Sequence, residues 1–175
     1  MIKQEQEQTI LNINQKNKNI RNTCFSILEA ILYYTPTLEK RSPSVFDSNP
    51  KNAYSSSILD KYDFEDLFRF CIKRLKIDDN LLVLIMMNID KIIAKSHFII
   101  SNENINRLFY TCLMITKKYY EDNSFNNKAY SSLVGINCDD LLNMEIEFMK
   151  MIDFEFFIKD KEFHNYKQKI SELYS

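Results

Sequence analysis

Beyond residue 50 the chain contains no proline, and one glycine, Gly135, is the only strong breaker that interrupts it. Its three prolines, Pro36, Pro43 and Pro50, are crowded into one stretch between residues 36 and 50. Proline and glycine are the strongest local breakers of regular structure. A chain that concentrates them in this way reads as an N-terminal helix, a polar linker and a long helical block. The expected fold class is therefore all-α. With 175 residues, 45% of them hydrophobic, it can bury one sizeable core, and no internal repeat divides it.

Hydrophobic periodicity places the helices. Ile20, Cys24, Ile27, Leu28, Ile31 and Leu32 recur at spacings of three and four, an amphipathic stripe on a helix over 18–35. Phe64, Leu67, Phe68, Cys71 and Leu75 form the inward stripe of a second, over 63–76. Asp78 and Asp79 supply cap and dipole partners for a third, over 80–95. Ser101 or Asn102 is expected to cap a fourth, with Glu103 in its first turn, running to about Tyr120. A short helix near 126–133 closes at Gly135, which suits the left-handed residue past a helix end. Asn137 caps the next helix and sets Asp139 and Asp140 at the positive end of its dipole. A last helix covers about 158–174. Residues 1–17 read as a mobile extension and 36–60 as linker. The helices at 80–95 and 103–120 are apolar on almost every side, where a surface helix shows only a stripe. They should form a buried central hairpin.

Several function classes are disfavoured. Lysine plus arginine number 23 against 24 acids, a net charge of −1, which removes the global electrostatic argument for nucleic acid. The longest apolar run, LLVLIMM at 81–87, is far short of the roughly 20 residues that span a bilayer. No apolar signal-peptide core opens the chain, so no membrane role and an intracellular setting, nucleus and/or cytoplasm, are expected. One glycine builds no phosphate-cradling loop, and no GxSxG, HExxH or EF-hand spacing occurs. Neither enzyme activity nor a cofactor is expected. Cys24, Cys71, Cys112 and Cys138 form no CxxC pair, and His97 and His164 lie far apart, which argues against a metal site. The acid pairs Asp78-Asp79, Glu121-Asp122 and Asp139-Asp140 sit at helix boundaries, where they cap or face solvent. Abundant Ile, Asn and Lys beside scarce Gly and Pro suggest an AT-rich genome such as a protist's.

One long string carries more. NINRLFYTCLMITKKYYEDNSFNNKAYSSLVGI, followed by LLNMEIEFMKMIDFEFFI, resembles the cyclin box of the P-type (P/U-type, phosphate-pathway) cyclins. The pattern of that family is met without a gap at Asn104, Arg107, Thr111, Met114, Lys118, Asp122, Asn126, Asn127, Tyr130, Gly135, Ile136, Glu145 and Phe148. MNIDK, residues 87–91, is similar to the family's Y-L-D-R segment, and SVFDSN to a V-F motif before its first box helix.

The resemblance implies a five-helix cyclin box over about 61–157. An extra N-terminal helix precedes it and a C-terminal helix follows, within one domain over 18–175. It also implies a regulatory subunit, monomeric when isolated, that binds and activates the catalytic subunit of a cyclin-dependent kinase. In that family a helix-3 lysine and a helix-5 glutamate hydrogen-bond the backbone around the kinase's regulatory helix; here these are Lys118 and Glu145. Ile115, Tyr119, Met149, Phe154 and Phe156 are the expected apolar kinase-facing set. Lys117, where the family has a small residue, is expected to be a surface lysine that complements the helix dipole. The family's Y-L-x-R-I becomes LFRFC, so Arg69 falls one place early and the usual arginine brace to Asp90 lacks an aligned residue. The competing reading is a cyclin-fold scaffold or transcription-related binding protein without kinase activation.

Overall fold

The computed structural model describes residues 20–33, 58–96 and 100–173. The expected mobile extension, nearly all of the linker and the SVFDSN motif lie outside the described residues. Among the described residues all regular structure is helical. Residues 20–33 form α1, and a 3-10 turn spans Ile58–Lys61. Then come α2 (Phe64–Arg74), α3 (Asp79–Ser96), α4 (Ile105–Tyr120), α5 (Asn127–Val134), α6 (Cys138–Met151) and α7 (Asp160–Glu172). Among the described residues five helices, α2 to α6, thus stand between one preceding and one following helix, as the resemblance implied.

Local chemistry sets most boundaries. The carboxylates of Asp63 and Asp78 accept from the amides of Glu65 (2.9 Å) and Leu81 (2.7 Å), satisfying N–H groups that the first turn leaves unpaired. Asn126 and Asn137 cap α5 and α6 in the same way, through Ala129 (2.9 Å) and Asp139 (2.8 Å). Gly135 ends α5 at φ 69°, ψ 29°, and the Ile136 amide reaches the Ser131 carbonyl at 3.0 Å. α2 stops before residue 76, because Lys76 turns left-handed (φ 52°) and the Ile77 amide closes on the Ile72 carbonyl.

The start of α4 differs from expectation. Neither Ser101 nor Asn102 is its cap, and Glu103 lies outside its first turn. Asn104 occupies the cap position, but its Oδ1 turns back to accept from the Ser101 amide at 2.9 Å. The Ser101 carbonyl accepts from the Asn104 and Ile105 amides. Residues 101–104 therefore close as a separate turn, and the helix begins after it.

α4 is the centre of the bundle, buried at every residue from Ile105 to Lys117. It packs against α2, α3 and α6. The rings of Phe25, Phe64, Phe68 and Phe109 join α1, α2 and α4. Asn106 Nδ2 donates to the carbonyls of Leu59 and Tyr62, both at 2.8 Å, and fastens the 3-10 turn to α4. Tyr110 Oη donates to the Tyr130 carbonyl at 2.7 Å and fastens α5. α7 lies on α3, where Tyr166 Oη donates to Asp90 at 2.5 Å and Ile170 is buried. The hairpin of α3 and α4 is central as expected, although α3 emerges to solvent at Ala94 and Lys95.

Candidate functional site

Packing of α4 against α6 brings Lys118 and Glu145 together: Lys118 Nζ donates to Glu145 Oε1 at 2.8 Å. Asn127, the first residue of α5, closes a ring around them. Its Oδ1 accepts from Lys118 Nζ, while its Nδ2 donates to Glu145 Oε2 at 2.7 Å. The two charged side chains are 24% and 22% exposed, so they are sheltered but reachable. The ammonium has three protons, of which the ring uses two, and each carboxylate oxygen keeps a lone pair. This site can still donate to one carbonyl and accept from amides of another chain.

Apolar groups flank the ring. Leu142, Ile146 and Met149 follow Glu145's face of α6 at helical spacing; the first two are exposed and Met149 is half-buried. Tyr119 is exposed and packs on Phe156, ring centres 5.0 Å apart. Immediately past α6 the chain turns a sharp corner, with Asp153 and Phe154 both left-handed at φ 55° and 58°. Such a conformation costs an L-residue about 1–2 kcal/mol. Two lysines of α3 hold it. Lys91 Nζ donates to the carbonyls of Glu155 and Phe157, both at 3.1 Å. Lys95 Nζ binds Glu155 Oε2 at 2.6 Å and Asp153 Oδ2 at 3.4 Å. The corner sends Phe156 inward, 2% exposed, and leaves Phe154 (66%) and Phe157 (67%) in solvent.

Of the expected partner-facing residues, Lys118, Glu145, Tyr119, Met149 and Phe154 reach the surface. Ile115 and Phe156 do not. Both are core residues, because α4 stays enclosed through Lys117 and Phe156 packs beneath Tyr119, Tyr120 and Phe148. Lys117 also departs from expectation: it is buried and paired with Glu121 one turn on, not a solvated surface lysine. Sequence reasoning gave no role to Asn127, Leu142, Ile146 or Phe157. The spacing of Leu142 and Ile146 around Glu145 was a usable signal; nothing local announces Phe157 or the two lysines beneath its loop.

Asp90 is not braced from α2. Arg69 pairs with Glu65 on its own helix at 2.5 Å, and Tyr166 of α7 serves Asp90 instead. Burial pushes the Asp90 carboxyl above the usual carboxylate range, with the Tyr166 hydrogen bond pulling the other way. Burial likewise pushes the thiols of Cys24 and Cys71 up to about 12, and that of Cys112 upward too. These are protonated core side chains. Among the described residues no group of three or more His, Cys, Asp or Glu side chains gathers as a metal site, and no helix is long and apolar enough to cross a membrane.

Comparison with known proteins agrees with the all-α fold. The family model described as Cyclin matches residues 3–156. Cyclin-U2-1 of Arabidopsis thaliana is 35% identical over 69 residues, 39% of this chain and 31% of that protein. Cyclin-U4-3 of the same plant is 30% identical over 79 residues, 45% of this chain and 36% of that one. PHO85 cyclin-7 of Saccharomyces cerevisiae is 27% identical over 82 residues, covering 47% and 29% respectively. The chain thus spans about a third of the length of the curated relatives it matches.

Proposed function

This chain belongs to the cyclin family, on its P/U-type branch, and from that premise we propose that it is a regulatory subunit that binds and activates a cyclin-dependent protein kinase. It carries out no phosphotransfer itself, is monomeric when alone, and acts in the nucleus or cytoplasm. The single observation that supports this most is the Lys118–Glu145 pair, held between α4 and α6 with unspent hydrogen-bonding capacity and bordered by exposed apolar side chains. Aromatic and aliphatic anchors around a sheltered polar centre are the composition of a protein-binding hot spot. The partner's backbone amides and carbonyls would meet Glu145 and Lys118, and its apolar side chains would cover Tyr119, Leu142, Ile146, Met149 and Phe154.

The test is co-purification and activation of a kinase catalytic subunit from the source organism by Lys118→Ala and Glu145→Ala, with Lys161→Ala on the exposed face of α7 as control. Truncating one member of a desolvated charged pair costs roughly 2–5 kcal/mol, or some 30-fold to several thousand-fold in affinity. A solvent-exposed pair contributes only about 0–1 kcal/mol. The expected outcome is loss of binding by both variants with melting temperatures near wild type. Wild-type kinase binding by both removes this surface from the mechanism. Binding without activation by the unaltered protein makes it a scaffold.

A further inference from the structure

Adjacent asparagines open α5, and they do different things. Asn126 lies outside the helix and caps it, its Oδ1 accepting from the Ala129 amide at 2.9 Å. Asn127 is already inside the first turn, and its side chain bonds to two other side chains. It gives one to each member of the charged pair: Oδ1 accepts from Lys118, and Nδ2 donates to Glu145 Oε2 at 2.7 Å. A carboxamide carries an acceptor and a donor on one rigid planar group, so Asn127 can serve an ammonium and a carboxylate at once. Neither duty is needed for helix formation, since alanine is a better helix former at such a position.

We propose that Asn127 is a positioning residue for kinase binding: it fixes the Lys118 ammonium and Glu145 carboxylate in one arrangement before the partner arrives. This inference rests on the reading of the Lys118–Glu145 surface given above. Lysine and glutamate are long side chains with many rotamers, and an unrestrained pair would have to be ordered during association. The ring makes that ordering part of folding. It also sets direction, because the three bonds of the ring leave one ammonium proton and one lone pair on each Glu145 oxygen for the partner.

The experiment measures kinase affinity and melting temperature for Asn127→Ala, Asn127→Asp, Asn126→Ala, Lys118→Ala and the double variant Lys118→Ala/Asn127→Ala. Asn127→Ala is expected to weaken binding about ten- to a hundredfold, the effect of re-ordering two long side chains, at an unchanged melting temperature. Asn127→Asp keeps the shape but sets a second carboxylate beside Glu145 and removes the donor, so it should bind no better than Asn127→Ala. Asn126→Ala should lower the melting temperature and leave affinity within about twofold, as loss of a cap alone does. In the double variant the Asn127 change should add little to that of Lys118, because its action runs through that residue. In the unbound protein, the Lys118 ammonium proton resonance should be protected from exchange in wild type and lost in Asn127→Ala. Wild-type affinity of Asn127→Ala beside a defective Lys118→Ala overturns the positioning role and spares the surface. Full additivity in the double variant does the same. Wild-type affinity of Lys118→Ala overturns the surface reading and the positioning role with it.

Discussion

Two threonines of α4 allow the interior to be tested with one chemical change of opposite expected sign. Thr111 and Thr116 are both fully buried. Thr116 Oγ1 donates to the Cys112 carbonyl at 2.7 Å and accepts from Asn88 Nδ2 at 3.4 Å. Among the described residues Thr111 Oγ1 reaches no hydrogen-bond partner. Valine replaces the hydroxyl by a methyl of similar volume and keeps the branching at Cβ. A buried polar group left unpaired costs about 1–3 kcal/mol, so Thr111→Val should stabilise the protein by about 1 kcal/mol or more. Thr116→Val instead strands the amide of Asn88, whose Oδ1 already lacks a partner among the described residues. That change should destabilise by about 1–3 kcal/mol. At this chain length each kcal/mol moves the melting temperature by about 2–4 °C. Urea unfolding followed by far-ultraviolet circular dichroism, with equal m values required of all three proteins, reads the difference directly. A loss of more than ~1 kcal/mol in Thr111→Val, or the same sign for both variants, refutes the reasoning and shows that the Thr111 hydroxyl has a partner.

Gly135→Val should cost more than ~1 kcal/mol, because a β-branched residue must then hold φ 69°; an unchanged melting temperature contradicts this. Asp90→Asn tests linkage. Burial raises the Asp90 pKa, so the folded state holds that proton more tightly than the unfolded chain does. Its contribution is present below the unfolded value of about 3.9 and is lost as pH rises through the raised one. The asparagine variant, which can still accept from Tyr166, should lack that decline, and matching urea midpoints at every pH from 3 to 7 would refute it.

What the sequence disclosed was local chemistry. Caps at Asn126 and Asn137 act over two or three residues, and Gly135 answers to one pair of backbone angles, so their roles can be read without the rest of the chain. The enclosure of α4 could also be read, since no solvated face interrupts its apolar residues. The Lys118–Glu145 pair came from motif resemblance, and the structure adds its geometry. Failures begin where distant segments decide. Whether Ile115 faces a partner or the core depends on how α6 and the corner after it cover the end of α4. Lys117 is also buried, and it pairs with Glu121 at the end of α4. The inward turn of Phe156 depends on Lys91 and Lys95, more than fifty residues earlier in the chain. The false start at Ser101 has a subtler cause: Asn104 has the chemistry of a cap but spends its side chain on the preceding turn.

The central place of α4 has a consequence for biosynthesis. Its enclosure from Ile105 to Lys117 is completed in part by α6, which follows it in the chain. A ribosome adds roughly 5–20 residues per second, so α4 leaves the exit tunnel seconds before α6 can cover it. For that interval a helix built for the interior is a ligand for chaperones and a hazard for aggregation. The same order of emergence governs the ring around Lys118, because Asn127 and Glu145 are both translated after it. A nascent chain halted before α6 therefore displays the lysine without its carboxylate partner, and the assembled ring marks a chain whose central helix has been covered.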